Sequence, residues 1–69
     1  MPETIALDVQ RMDSDLLQLD ALAFVRGGVR NVAHGMLIEL KRRDESMVEE
    51  VLDKVSAEDR KYFLRQLNM

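Results

Sequence analysis

The stretch Leu22-Ala23-Phe24-Val25-Arg26-Gly27-Gly28-Val29-Arg30-Asn31-Val32-Ala33 decides how the chain is read. If the glycine pair ends a helix, the chain is a set of short helices. If a helix runs through it, one long rod dominates. Glycine in a helix interior costs about 1 kcal/mol relative to alanine, so Gly27, Gly28 and Gly35 together cost about 3 kcal/mol, which favours a break. Phase favours continuity. At the helical period, Leu22, Val25, Val29, Val32, Ala33, Met36 and Leu40 fall on one face about 100° wide, and Arg26, Arg30, His34 and Lys41 fall outside it on the polar side. The apolar face passes through the glycines without slipping. The sequence therefore predicts one long helix over about 14–43, with a kink allowed at Gly27-Gly28.

Small residues add a second pattern. Ser14, Ala21, Gly28 and Gly35 recur every seventh residue, nearly two helical turns, and so form a slowly drifting stripe beside the apolar face. Such a stripe lets another helix backbone approach closely, and the van der Waals attraction between the two helices offsets the glycine cost. The expectation is a dimer seam made by Ala21, Val25, Gly28, Val32 and Gly35, joining two copies about a two-fold axis. The bland alternative is a plain turn at Gly27-Gly28 and a chance spacing.

Outward from this segment, the N-terminal residues alternate: Ile5, Leu7 and Val9 against Thr4, Ala6, Asp8 and Gln10. That reads as a short strand or, without a partner strand, an extended arm over residues 1–12. Asp13 or Ser14 offers an N-cap for the long helix. Downstream, Ser46-Met47-Val48-Glu49 reads as a capping box opening a helix over about 47–55. Ser56-Ala57-Glu58-Asp59 repeats the pattern and opens a last helix over about 57–67, carrying Phe63, Leu64 and Leu67. The fold class expected is all-α, one domain over residues 1–69, forming a helical homodimer.

Composition bounds the function. The chain has 69 residues, no cysteine and one histidine, so disulfides, thiolate metal sites and the usual structural zinc site are not expected. A core this small is marginal alone, which leaves oligomerisation as the expected reinforcement. Leu, Ile, Val and Phe supply 21 of 69 residues, above the level of disordered chains. No apolar run approaches a membrane span and Met1-Pro2-Glu3-Thr4 does not resemble a signal peptide, so a soluble, cytoplasmic protein is expected.

The net charge of −3 is unevenly spread. Residues 1–25 carry five acidic groups against Arg11, residues 26–43 carry five basic groups against Glu39, and residues 44–69 are acidic again. The basic middle is placed to pair with its own flanks or with an acidic partner. Arg26, Arg30 and His34, with Lys41 and Arg42-Arg43, form a cationic stripe of the kind that binds phosphates. Against that reading, the chain is acidic overall and no aromatic interleaves the stripe. A solvated face, partly paired with Glu45, Glu49, Glu50 and Asp53, is the simpler account.

A helix-turn-helix or ribbon-helix-helix regulator has the right order of elements, but the polar side of its strand, Thr4, Ala6, Asp8 and Gln10, offers no Arg or Lys to read bases. Leu17, Leu19, Phe24, Leu37 and Ile38 lie off the main apolar face. Of these, Phe24 and Ile38 project toward the polar side and join Arg26, Arg30, His34, Lys41 and Arg42 as candidate partner-binding residues. No catalytic triad spacing and no phosphate loop is present. By elimination, the expected function is a cofactor-free, non-enzymatic regulatory protein that binds itself and a larger protein. A DNA-binding regulator using residues 26–43 is the rival.

Overall fold

In the computed structural model, which describes residues 8–69, the long helix is two helices. Helix α1 spans Ser14–Arg26, α2 Arg30–Arg43, α3 Glu45–Leu52 and α4 Ala57–Gln66, preceded by a helical turn at residues 8–11. The chain is all-α across the described residues, as the sequence predicts, but the rod over 14–43 is replaced by a hairpin.

The glycine pair supplies the reason. Gly28 has φ +77°, a left-handed conformation that glycine adopts without the steric cost borne by other residues. Around it the carbonyls left open at the end of α1 are satisfied. Gly28 N–H donates to the Val25 carbonyl at 3.1 Å, and Val29 N–H reaches back to the Phe24 carbonyl at 3.0 Å. This pair of backward bonds is the Schellman termination. The same device closes α4, where Asn68 (φ 57°) donates to Arg65 and Met69 N–H to the Leu64 carbonyl at 2.9 Å.

Breaking the helix lets two apolar stripes face each other within one molecule. Leu17, Ala21 and Val25 on α1 follow i, i+4, i+8, and Ala33, Met36, Leu37 and Leu40 line α2; all are buried. Arg43 at the end of α2 bonds Ser14 at the start of α1, so the two helices run antiparallel. A straight rod leaves both stripes in water until a second chain arrives. Each fully buried Leu or Val contributes about 1.5–3 kcal/mol, more than any one glycine costs. Phase continuity is therefore a poor guide here: Val29, which carries the face through the turn, is 39% exposed. Leu17 and Leu37, which lie off the face of a continuous rod, are both fully buried.

Helices α3 and α4 close the core from one side with Val48, Val51, Leu52, Phe63 and Leu67. Gln18 on α1 holds α3 through the Met47 carbonyl at 3.0 Å. Helix α4 runs alongside α2 in the same direction, since Arg30 reaches Asp59 near its start and Lys41 reaches the Leu67 carbonyl past its end.

Two boundaries differ from expectation. Helix α3 is capped by Asp44, whose side chain accepts from Ser46 N–H at 3.0 Å and from Ser46 Oγ at 2.7 Å, so it starts two residues early and ends at Leu52. Ser46 is a donor to the cap rather than the cap. The last helix keeps its predicted opening, with Ser56 Oγ accepting from Asp59 N–H at 3.1 Å. The strand or extended arm is corrected where it can be seen. Residues 8–11 are helical, with Met12 N–H donating to the Val9 carbonyl at 3.2 Å. Val9 and Met12, three apart, both pack on the core, which is helical rather than strand spacing. The alternating residues Thr4 to Leu7 lie outside the described residues.

Candidate functional site

The seam residues do not share one helix face. Ala21 and Val25 are spent inside the molecule's own core, Gly28 sits in the left-handed turn, Val32 is half-buried and Gly35 faces solvent. A Cβ added at Gly28 or Gly35 meets nothing within 4 Å, so neither glycine is needed for close approach within the molecule. The seven-residue spacing depends on a continuous helix, and the helix is broken between Ala21 and Gly35.

The cationic stripe is a solvated face that is partly paired: Arg26, Arg30 and Arg42 are exposed, but their partners differ from those expected. Arg26 Nη2 donates to the Lys54 carbonyl at 2.8 Å, past the end of α3. Arg30 bonds Asp59 at 3.3 Å, lies 3.9 Å from Glu58 and stacks over Tyr62 with its guanidinium carbon 4.2 Å from the ring centroid. Lys41 Nζ donates to the Leu67 carbonyl. Arg26, Arg30 and Lys41 thus act as clamps from the hairpin onto the two C-terminal helices. The expected acidic partners were Glu45, Glu49, Glu50 and Asp53; the ones used are Glu58 and Asp59 on α4. His34, on the same side, is half-buried.

Arg42 and Arg43 converge on Glu39, the charged side chain that is buried among the described residues. Arg42 donates through Nε at 3.2 Å and also through Nη2, and Arg43 through Nε at 2.8 Å. The hydrogen bond from Arg42 is the main reason the Glu39 carboxyl is held below its ordinary value; burial pushes it up, and the bond from Arg43 adds to the lowering. Sequence reasoning misses Glu39 as a site residue and meets Arg43 only as part of the stripe. The signal is present as i, i+3 and i, i+4 pairing of one acid with two arginines, but nothing local shows that the acid is buried.

The two candidates off the main face separate. Phe24 is half-buried and packs on the core, whereas Ile38 is 49% exposed. The more exposed aliphatic residues are Leu16 at 51% and Leu19 at 65% on α1. With exposed Ala23 they follow i, i+3, i+7, so the solvent side of α1 carries an apolar row. An open depression is lined by Glu58, Lys61, Tyr62, Arg65 and Gln66 on α4. Among the described residues no three His, Asp or Glu side chains converge as around a metal ion, and no helix is long and apolar enough to cross a membrane.

No protein-family model matches the chain, and neither a curated protein nor a solved structure matches it.

Proposed function

We propose that the chain is a small non-enzymatic interaction module that binds and regulates a larger protein through the outer face of α1. The observation that carries this reading is the exposure of Leu16 and Leu19 on a helix whose opposite side is already buried. Large aliphatic side chains in water at i, i+3 spacing fit the recognition of an apolar groove or helix, the mode in which an amphipathic helix lays one row of side chains into a partner. Asp15, next to Leu16, is exposed and gives the row an acidic edge that favours a partner with basic rim residues.

The rival reading, phosphate or DNA binding through the basic stripe, loses support from the clamps. A phosphate would have to compete with groups of the chain itself, since Arg26, Arg30, Lys41 and Arg42 each donate within it. Self-association remains part of the proposal, on different residues from those first expected. With Ala21 and Val25 inside the core, two copies would meet through the Leu16–Leu19 row, in competition with the larger protein.

The double variant Leu16→Asp, Leu19→Asp tests the reading. Both positions are more than half exposed, so the two substitutions together should cost no more than about 1 kcal/mol of stability to denaturant. Partner capture and any dimer seen by light scattering should be lost. Full retention of both, with the fold intact, would remove α1 as the working face.

A further inference from the structure

Among the described residues, the helical turn at 8–11 is hydrogen-bonded to the bundle chiefly through one side chain. Residues 8–12 contribute one buried side chain, Val9, and one partly buried one, Met12. Arg43 supplies most of the polar hold. Its Nη2 donates to the Val9 carbonyl at 3.2 Å and the Gln10 carbonyl at 3.1 Å. Its Nη1 donates to the Met12 carbonyl at 2.7 Å and to Ser14 Oγ at 3.2 Å. The Val9 carbonyl also accepts from Met12 N–H, and the guanidinium meets the Gln10 and Met12 carbonyls beyond it, so Arg43 serves as that turn's C-terminal cap. The remaining donor, Nε, is taken by Glu39 at 2.8 Å, which fixes the plane of the fork.

We propose that residues 8–12 are a strap latched by Arg43, with Glu39 as the positioning residue, and that the strap opens as a unit while the helices stay folded. Among the described residues its side-chain hydrogen bonds converge on Arg43 and it adds only Val9 and Met12 to the core, whereas each helix from Ser14 onward is held by several buried side chains or by more than one clamp. Units of that kind open below the global unfolding free energy. The strap bridges the open end of the α1–α2 hairpin, opposite the Gly27–Val29 turn.

Amide hydrogen exchange on the full chain tests this. Lysine keeps the charge beside Glu39 but has no planar fork with which to serve several acceptors at once. Arg43→Lys should therefore speed exchange of the Met12 amide by about tenfold or more, as loss of charge-assisted hydrogen bonds implies, and change Leu37 and Leu40 far less. Unchanged Met12 exchange, or an equal rise at all three amides, would overturn the latch. The native chain gives the same test without substitution. Low denaturant should leave Met12 exchange nearly unaffected while accelerating Leu37 and Leu40, because release of a short strap exposes little surface. A Met12 amide that follows the denaturant dependence of Leu40 would overturn the proposal even if Arg43→Lys does not fold.

Discussion

Gly28 and Gly35 look alike in the sequence and do opposite things. At Gly28 the backbone is left-handed, and alanine has room for its Cβ but not the conformation. Gly28→Ala should destabilise by about 1–2 kcal/mol in urea denaturation. At Gly35 the backbone is helical and nothing stands within 4 Å of an added Cβ, so Gly35→Ala should stabilise by about 1 kcal/mol. Equal effects of the two would contradict the turn. Glu39 carries the pH dependence at this scale. Its carboxyl titrates below the ordinary value, so the folded state binds fewer protons there than the unfolded state. The stabilisation is therefore complete above the ordinary carboxylate range and is lost as pH falls through the depressed native value. In denaturation series run from about pH 7 down to about pH 3, the gap between the native chain and Glu39→Gln should be widest near neutrality and shrink on acidification. A gap that widens with acid would reverse the assignment.

At the scale of elements, the sequence is legible where a local rule suffices. Ser56 caps α4 as its spacing to Asp59 implies, and α2 ends at Arg43 because Asp44 leaves the helical conformation. It misleads where two local rules compete. Ser46 and Asp44 are both good caps two residues apart, and only the packing of Val48, Val51 and Leu52 on the hairpin decides which one is used. Asp44→Ala should cost about 1 kcal/mol, with Ser46→Ala costing less; the reverse order would restore Ser46 as the cap. The Gly27-Gly28 pair is harder. Helical phase measures only whether apolar residues recur, and two helices that fold back on each other each need their own recurring stripe. Continuity of that stripe does not separate one rod from a hairpin. The positive φ at Gly28 separates them, and the cost of glycine in a helix points the same way.

For the whole molecule, the uneven charge along the chain becomes an internal fastening. The basic middle segment reaches α4 through Arg30, the ends of α3 and α4 through Arg26 and Lys41, and the N-terminal turn through Arg43. Pairing of the middle with its flanks is legible from the charge order; that carbonyls serve as acceptors more than carboxylates is not, because backbone acceptors leave no trace in the sequence. Little of the candidate site is legible for the same kind of reason. Leu16 and Leu19 belong to the same leucine-rich run as buried Leu17, and which of them faces water depends on where α1 meets α2. With Arg26, Arg30, Lys41, Arg42 and Arg43 bonded within the chain and an aliphatic row in water, the chain is read as acting through apolar contact with a protein. The most direct measurement is capture by the immobilised full chain at about 0.1 M and about 0.5 M salt, with and without nuclease treatment of the extract. Apolar recognition predicts a protein retained at both salt concentrations, indifferent to nuclease and lost with Leu16→Asp, Leu19→Asp. Retained nucleic acid that washes off at the higher salt, and that Arg26→Ala, Arg30→Ala abolishes, would contradict the account.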